Sequence, residues 1–300
     1  MQPWPGAYGE RHARSRAGRA YTPGDRPMTE QSGSTPRTLE DPLAEALRIV
    51  AAADQRGLLV RLMGGMAVRA HSPEWTHRTR RLEVDLDFAT RSKDRAAFYE
   101  LLESEGYTPD RQHNALFGRS QAYFVDVPRK RPVDVLVDTL EMCHRIDFGD
   151  RLQYATPTLP LAELLLSKLQ VVRINRKDVL DALVLLAEHE LGSDDGEVVH
   201  GQGFGRINVR RIVEITSNDW GWWRTVTDNL DKLSQFIESE MTPADLDVGA
   251  EPVRFDVREQ VRALRTAIDD APKSTRWKMR ARVGERMTWY ALPEEVQHGS

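Results

Sequence analysis

Apolar positions along the chain fall into well-separated runs, and their spacing predicts most of the elements. In DPLAEALRIVAAADQRG they recur at helical intervals and stop at a glycine, so a helix begins near Asp41. LLVRLM reads as a short buried strand ending at Gly64-Gly65, and MAVRAHS opens a second helix. LEVDLDFA alternates strictly: Leu82, Val84, Leu86 and Phe88 share one face, Glu83, Asp85 and Asp87 the other. RSKDRAAFYELLESEGY predicts an amphipathic helix with its own glycine stop. QAYFVDV and RPVDVLVD are β-rich runs joined by the turn-like PRKRP, which predicts an antiparallel pair.

From Thr158 the pattern turns helical. TLPLAELLLSKLQVVRI predicts a helix with Thr158 as N-cap, a proline near the first turn and Glu163 close behind. KDVLDALVLLAEHELG predicts a second helix ending at Gly192, and SDDGEVVHGQGFG reads as a linker. NVRRIVEITS, DWGWWRTVTDNLDKLSQFIESEM and VREQVRALRTAIDDA follow as helices. The expected organisation is a leader over 1–40, an α/β unit over 41–192, a linker over 193–205 and a helical C-terminal region over 206–300. The leader is rich in Gly, Pro, Ser and Arg and has no apolar h-region, so it reads as disordered and not as a signal peptide. Met28 is an alternative start to Met1.

Composition narrows the function classes. With 40% hydrophobic and 29% charged residues and a net charge of -4, the chain is not coated in positive charge, though a local basic patch remains open. The single cysteine, Cys143, excludes an intrachain disulfide and a thiolate metal cluster. That usage fits a reducing cytoplasm. No apolar stretch approaches the roughly 20 residues of a membrane span.

The chemistry lies in polar residues that packing alone does not call for. Asp85 and Asp87 share one strand face, with side chains roughly 7 Å apart along it. Asp134 sits between Val133 and Val135 on another strand; if the two strands are neighbours, three carboxylates converge. Asp126 and Asp138 lie in the same region, and Asp138 has the plainer reading of a strand-end cap. Hard oxygen ligands of this kind suit Mg²⁺ or Mn²⁺, completed by substrate phosphates. A strand that ends in Gly-Gly and turns into a helix leaves amides facing outward and lets a phosphate approach closely. Lys168, in an apolar helix, either snorkels outward or reaches a buried anion. Taken singly, these are a turn, a solvated strand face and a surface lysine. Taken in order, they outline a site for a metal-bound triphosphate and phosphoryl or nucleotidyl transfer.

The order strand–Gly-Gly–helix, strand Asp-x-Asp, a third acid, then a helical lysine resembles the polymerase-β-type nucleotidyltransferase superfamily. HRTRRLEVDLDF and LAELLLSKLQVVRINRKDVLDALVLL are similar to motifs of its AbiEii/AbiGii-like (MenT-like) toxins, over roughly residues 58–190. That resemblance implies a polymerase-β-like mixed sheet with flanking helices. It implies phosphate binding by Gly64 and Gly65, metal binding by Asp85, Asp87 and Asp134, and a triphosphate contact from Lys168. Asp178 or Asp181 would orient the base or Lys168. Arg78, beside Thr79 and just before the Asp-x-Asp strand, would meet a phosphate or neutralise the carboxylates.

The activity implied is Mg²⁺-dependent transfer of NMP from an NTP to an acceptor hydroxyl, in a toxin of a toxin–antitoxin pair acting on tRNA 3′ ends. Its partners would be an NTP, tRNA and a cognate antitoxin protein. A small-molecule nucleotidyltransferase of the aminoglycoside type and a non-catalytic binding module are the alternatives. KSTRWKMRARVGERMTWY carries six Lys or Arg against one Glu, interleaved with Trp277, Trp289 and Tyr290, a pattern that suits RNA or a solvated basic face. Trp220, Trp222 and Trp223 fall within four residues and read as an anchor for the C-terminal part.

Overall fold

The computed structural model describes residues 37–72, 85–196, 205–241, 247–248, 251–252 and 255–291. Most of the expected leader, the segment 73–84 with Arg78 and Thr79, and part of the expected linker lie outside the described residues.

Helix α1 (Pro42–Gln55) begins as the pattern predicts: the Asp41 carboxylate accepts from the Ala44 amide at 2.8 Å and Pro42 occupies the first turn. It leads through a glycine turn to β1 (Val60–Met63), from which α2 (Gly64–His71) departs directly. Then come β2 (Leu86–Thr90), α3 (Arg95–Ser104), β3 (Thr108–Pro109), α4 (Arg111–Phe117), β4 (Gln121–Asp126) and β5 (Arg131–Val137). The strands form one sheet in the order β1-β2-β5-β4-β3, with β2 and β5 parallel and the other neighbours antiparallel. The architecture is the expected mixed sheet with flanking helices.

Alternation gives this sheet two unlike faces. Val133, Val135 and Val137 on β5, with Ala122 and Phe124 on β4, are buried in the core. Asp134, Leu136, Gln121, Tyr123 and Val125 point to the opposite, half-buried face. That open face carries the polar chemistry.

Three expectations need correction. The helix expected to end at Gly192 stops at Glu188, and Leu191–Gly192 pair as a short strand with Ile207–Asn208 instead. The helix foreseen over 91–107 starts only at Arg95, because Asp94 is engaged in the turn before it: its carboxylate takes Arg91 at 2.6 Å and the Leu59 amide at 3.2 Å. Thr158 is not an N-cap. It bridges Leu62 in parallel fashion, and its hydroxyl donates to the Leu159 carbonyl, so a long-range strand contact prevails over local capping. The helix, α5 (Leu161–Leu169), follows Pro160 and stops early, where the Asn229 side chain takes the carbonyls of Leu169 and Val171. The hairpin β6 (Thr139–Glu141) and β7 (Arg145–Asp147), like α4, was too short to show in the pattern.

Helix α5 is buried on all sides, including Glu163 and Lys168, as befits a central helix. Around it run α6 (Arg176–Glu188), the two-residue pair β8 (Leu191–Gly192) and β9 (Ile207–Asn208), α7 (Val209–Asn218), α8 (Trp220–Ser239), α9 (Val257–Asp270) and α10 (Thr275–Val283). One hydrophobic cluster joins sheet, α5, α6 and the later helices, from Ile49 and Phe88 to Leu230 and Leu264. Across the sequence gap, Gln260 donates to the carbonyls of Leu186 and His189, and Arg211 reaches the buried Glu163. No described helix is long and apolar enough to cross a membrane.

Two buried polar groups carry testable consequences. Asp126 pairs with Arg131 at 2.9 Å, both side chains at most 2% exposed, and Arg131 also donates to the Leu39 carbonyl. Removing one partner strands the other in the interior. Asp126→Ala is expected to cost about 3–5 kcal/mol in urea denaturation. His71 donates from Nε2 to Thr158 Oγ1 at 2.8 Å, since the threonine's own hydrogen is committed to Leu159. Burial pushes the His71 ring down to about 4.

Between the unfolded value near 6.5 and that lowered value, only the unfolded chain takes up the proton, so stability falls as pH drops through this window. His144, also lowered to about 4 by burial, acts with the same sign. His71→Gln keeps a donor and is expected to remove on the order of 3 kcal/mol of the stability lost between pH 7 and 4. An unchanged pH dependence of the urea midpoint would refute the His71 share.

Candidate active site

The junction of β1 and α2 is built around Gly64. Met63 ends the strand in extended conformation, Gly64 takes φ +63, and the helix starts there with no side-chain hydrogen bond from Met63 as N-cap. A side chain on Gly64 would have no room. A Cβ there would overlap Asp87 Oδ2 and lie 2.8 Å from its Cγ. The helix N-terminus, with its outward amides and positive dipole end, is thereby pressed against a carboxylate on the neighbouring strand.

Register then assembles the acids. Met63 faces Asp87 across the antiparallel pair, and Asp87 faces Asp134 across the parallel pair. Partners in register share a sheet face, so Asp87 and Asp134 stand on adjacent strands about 4.8 Å apart along the backbone. Asp85, exposed, lies one residue before β2 and two before Asp87. Carboxylates crowded in this way are unfavourable neighbours unless donors or a cation lie between them.

The structure also separates the three aspartates of the β4–β5 region. Asp126 is committed to Arg131 in the interior. Asp138, at φ +60, ends β5: its carboxylate takes the Ser92 amide at 3.0 Å and the Ser92 hydroxyl, and its carbonyl takes the amides of Phe148 and Gly149. Asp138 is a strand-end cap. Only Asp134 of the three lies beside Asp87 on the open face.

Two residues of this neighbourhood were not singled out from the sequence. The Gln121 amide donates to Tyr123 Oη at 2.7 Å and to Asp134 Oδ1 at 3.2 Å. Tyr123 is the register partner of Asp134 on β4, and its ring lies 4.2 Å from that of His113. Burial, with Asp134 adding to it, pushes the Tyr123 phenol up to about 12. The alternation in QAYFVDV places Gln121 and Tyr123 together on one face, but only the strand register reveals that Asp134 shares it.

Lys168 is buried and held by two carboxylates, Asp181 at 2.8 Å and Asp178 at 3.2 Å. Their three-residue spacing puts both on one face of α6. Asn175 fixes the first of them, accepting the Asp178 amide and donating to its carboxylate at 2.8 Å. Of the two expected roles for Asp178 or Asp181, orienting the base or Lys168, the second is visible here, and both carboxylates share it. Helix α2, which starts at Gly64, packs against both α5 and α6. Arg78 and Thr79 lie outside the described residues. Among the described residues, no group of three or more His, Cys, Asp or Glu forms a ready metal-binding cluster.

The aromatic–basic tail is differently disposed. Trp277 packs edge-on against Trp223 at 5.2 Å, Trp289 against Trp220 at 5.8 Å, and Arg280 lies over the Trp220 ring. These contacts anchor the tail to α8. Arg276, Lys278, Arg282 and Arg286 remain exposed.

No family model matches the chain, and no curated protein matches it. Among solved structures it is similar to the STING-associated CdnE c-di-GMP synthase from Capnocytophaga granulosa, at 14% identity over 76% of this chain and 78% of that one. The TM-score of that match is 0.24, too slight a likeness to carry weight for fold or activity.

Proposed function

We propose that this chain is a metal-dependent nucleotidyltransferase that moves NMP from an NTP to an acceptor hydroxyl. The observation that carries the reading is the contact between Gly64 and Asp87, with Asp134 beside Asp87 in register. A helix N-terminus suited to phosphate and a carboxylate pair suited to a hard cation meet at Gly64, where only a residue without a side chain lets Asp87 come this close.

The donor set fits Mg²⁺ or Mn²⁺. Asp87 and Asp134 offer only carboxylate oxygen, and such ions typically take one or two carboxylates plus substrate phosphates; Asp85 is assigned to the same ion, although the described residues form no preformed group of three. When bound, the ion would neutralise charge on the triphosphate and make the acceptor hydroxyl easier to deprotonate. The chain's own residues supply the rest. The amides at Gly64 and Gly65 hold phosphate oxygens. Asp134 accepts the proton of the acceptor hydroxyl as its oxygen bonds the α-phosphorus, and the bond to pyrophosphate breaks in line. Lys168, steadied by Asp178 and Asp181, is the cation assigned to the triphosphate; Arg78 and Thr79 are assigned to the same ligand.

The finer reading is a toxin that modifies tRNA 3′ ends and is held in check by an antitoxin protein. It is supported by the resemblance of residues 58–190 to AbiEii/AbiGii-like toxins and by the exposed basic residues of α10 and the segment after it. Incubating the full chain with Mg²⁺, each α-labelled NTP and total RNA, or aminoglycosides, tests it. Label on tRNA supports the toxin reading. Label on an aminoglycoside supports a small-molecule enzyme, and no label on any acceptor leaves a binding module.

A further inference from the structure

We propose that Gln121 is a positioning residue that aims Asp134, through a hydrogen-bonded chain running from Tyr123 across the open sheet face. The inference rests on the nucleotidyltransferase reading and assigns a role to a side chain that the aspartate motif does not contain.

The geometry is specific. Gln121 Nε2 has two hydrogens and two acceptors, Tyr123 Oη at 2.7 Å and Asp134 Oδ1 at 3.2 Å. An amide bridging in this way cannot rotate without losing one of them. Tyr123 is itself fixed: its amide donates to Asn114 Oδ1 at 2.8 Å, its carbonyl accepts from Asn114 Nδ2 at 2.9 Å, and its ring meets His113. Helix α4 thus holds Tyr123, Tyr123 holds Gln121, and Gln121 fixes one oxygen of Asp134.

The chemistry explains why such a hold matters. A carboxylate has two chemically equivalent oxygens. A donor on Oδ1 breaks that equivalence and favours one orientation of the group. Groups that orient ligating carboxylates commonly matter nearly as much as the ligands. Gln121 also adds a donor, and no charge, at a place where Asp87 and Asp134 are already crowded. A lysine there would pair with Asp134 and compete with a cation, and a carboxylate would add to the repulsion.

The test uses the full chain and two readouts. Mn²⁺ affinity is measured by electron paramagnetic resonance of the metal alone, and kcat and KM are measured with the NTP and acceptor that the wild type uses. Gln121→Leu keeps the volume and removes the donor; it is expected to lower Mn²⁺ affinity and kcat by about tenfold each, with KM for the NTP within about twofold. Tyr123→Phe, which leaves the amide but frees it to turn, is expected to give a smaller loss of about threefold. In an Asp134→Asn background, Gln121→Leu should change Mn²⁺ affinity no further, because its effect passes through Asp134.

Unchanged Mn²⁺ binding and kcat in both single variants would overturn the proposal. So would an equal loss in the Asp134→Asn background, since that is the mark of a purely structural role. If Gln121→Leu fails to fold, Tyr123→Phe and its cycle with Asp134→Asn decide the matter alone. A wild type that transfers no nucleotide and binds Mn²⁺ no better than Asp134→Asn is a distinct result, and it removes the nucleotidyltransferase reading itself.

Discussion

Gly64→Ala is expected to abolish transfer and to destabilise the chain, whereas the same change at Gly57 does only the second, and mildly. Both glycines have positive φ, +63 and +71, so each substitution carries the left-handed backbone penalty of about 1–2 kcal/mol. They differ in their surroundings. No heavy atom lies within 4 Å of a Cβ built on Gly57, but one on Gly64 would overlap the Asp87 carboxylate. Either Asp87 turns away or the start of α2 lifts off the sheet, and both outcomes separate the amides from the acid. The total cost at Gly64 is expected to reach about 2–4 kcal/mol. Transfer by the folded fraction should fall at least about 100-fold, the usual scale for losing an aligned group at a site of charge development. Paired urea denaturation and activity measurements on the two variants check this, and an active Gly64→Ala would contradict the close packing of amide and acid.

The second large effect concerns the acids. Asp87→Asn and Asp134→Asn are each expected to reduce transfer by about 10³-fold or more, because the cation-holding and proton-accepting oxygens are lost. Their effect on stability should be small. Each substitution keeps the shape of the side chain and relieves a like-charge pair that faces itself in register, so stability is expected to stay within about 1 kcal/mol of wild type. Asp126→Ala should show the reverse, a large loss of stability with the folded fraction still active. This opposition separates the acids of the site from the acid of the interior. Asp138, committed to Ser92 and the amides of Phe148 and Gly149, belongs with Asp126.

What could be read from the sequence follows from which physics is local. The strand–Gly-Gly–helix junction and the Asp-x-Asp strand were visible because period-two alternation and glycine punctuation act within a few residues. Asp134 differs from Asp126 and Asp138 in its valine flanks, and strand alternation gives those flanks their meaning: Val133 and Val135 point into the core while Asp134 points away from it. Register is a different matter. That Asp134 faces both Asp87 and Tyr123 depends on pairings between residues 11 and 47 positions apart in the chain, which a single sequence does not express. Gln121 was therefore missed, although its place on a polar strand face was plain. Thr158 misled because Thr-Leu-Pro before a helix fits a cap, while a bridge to Leu62, almost a hundred residues earlier, decides its role. In the basic–aromatic tail, a tryptophan displayed for a base and one packed on another tryptophan have the same local pattern, and only the structure shows that Trp277 and Trp289 pack on Trp223 and Trp220.

On the function proposed above, phosphate and acid meet at Gly64 and an NTP is cleaved between its α- and β-phosphates. That cleavage is tested most directly by following α-labelled and γ-labelled NTP in parallel, with Mg²⁺ and total RNA, for the wild type and Asp87→Asn. The wild type is expected to move the α-label onto an acceptor and release the γ-label as pyrophosphate, and Asp87→Asn to do neither. Release of the γ-label as orthophosphate, or transfer of the α-label undiminished in Asp87→Asn, would contradict it.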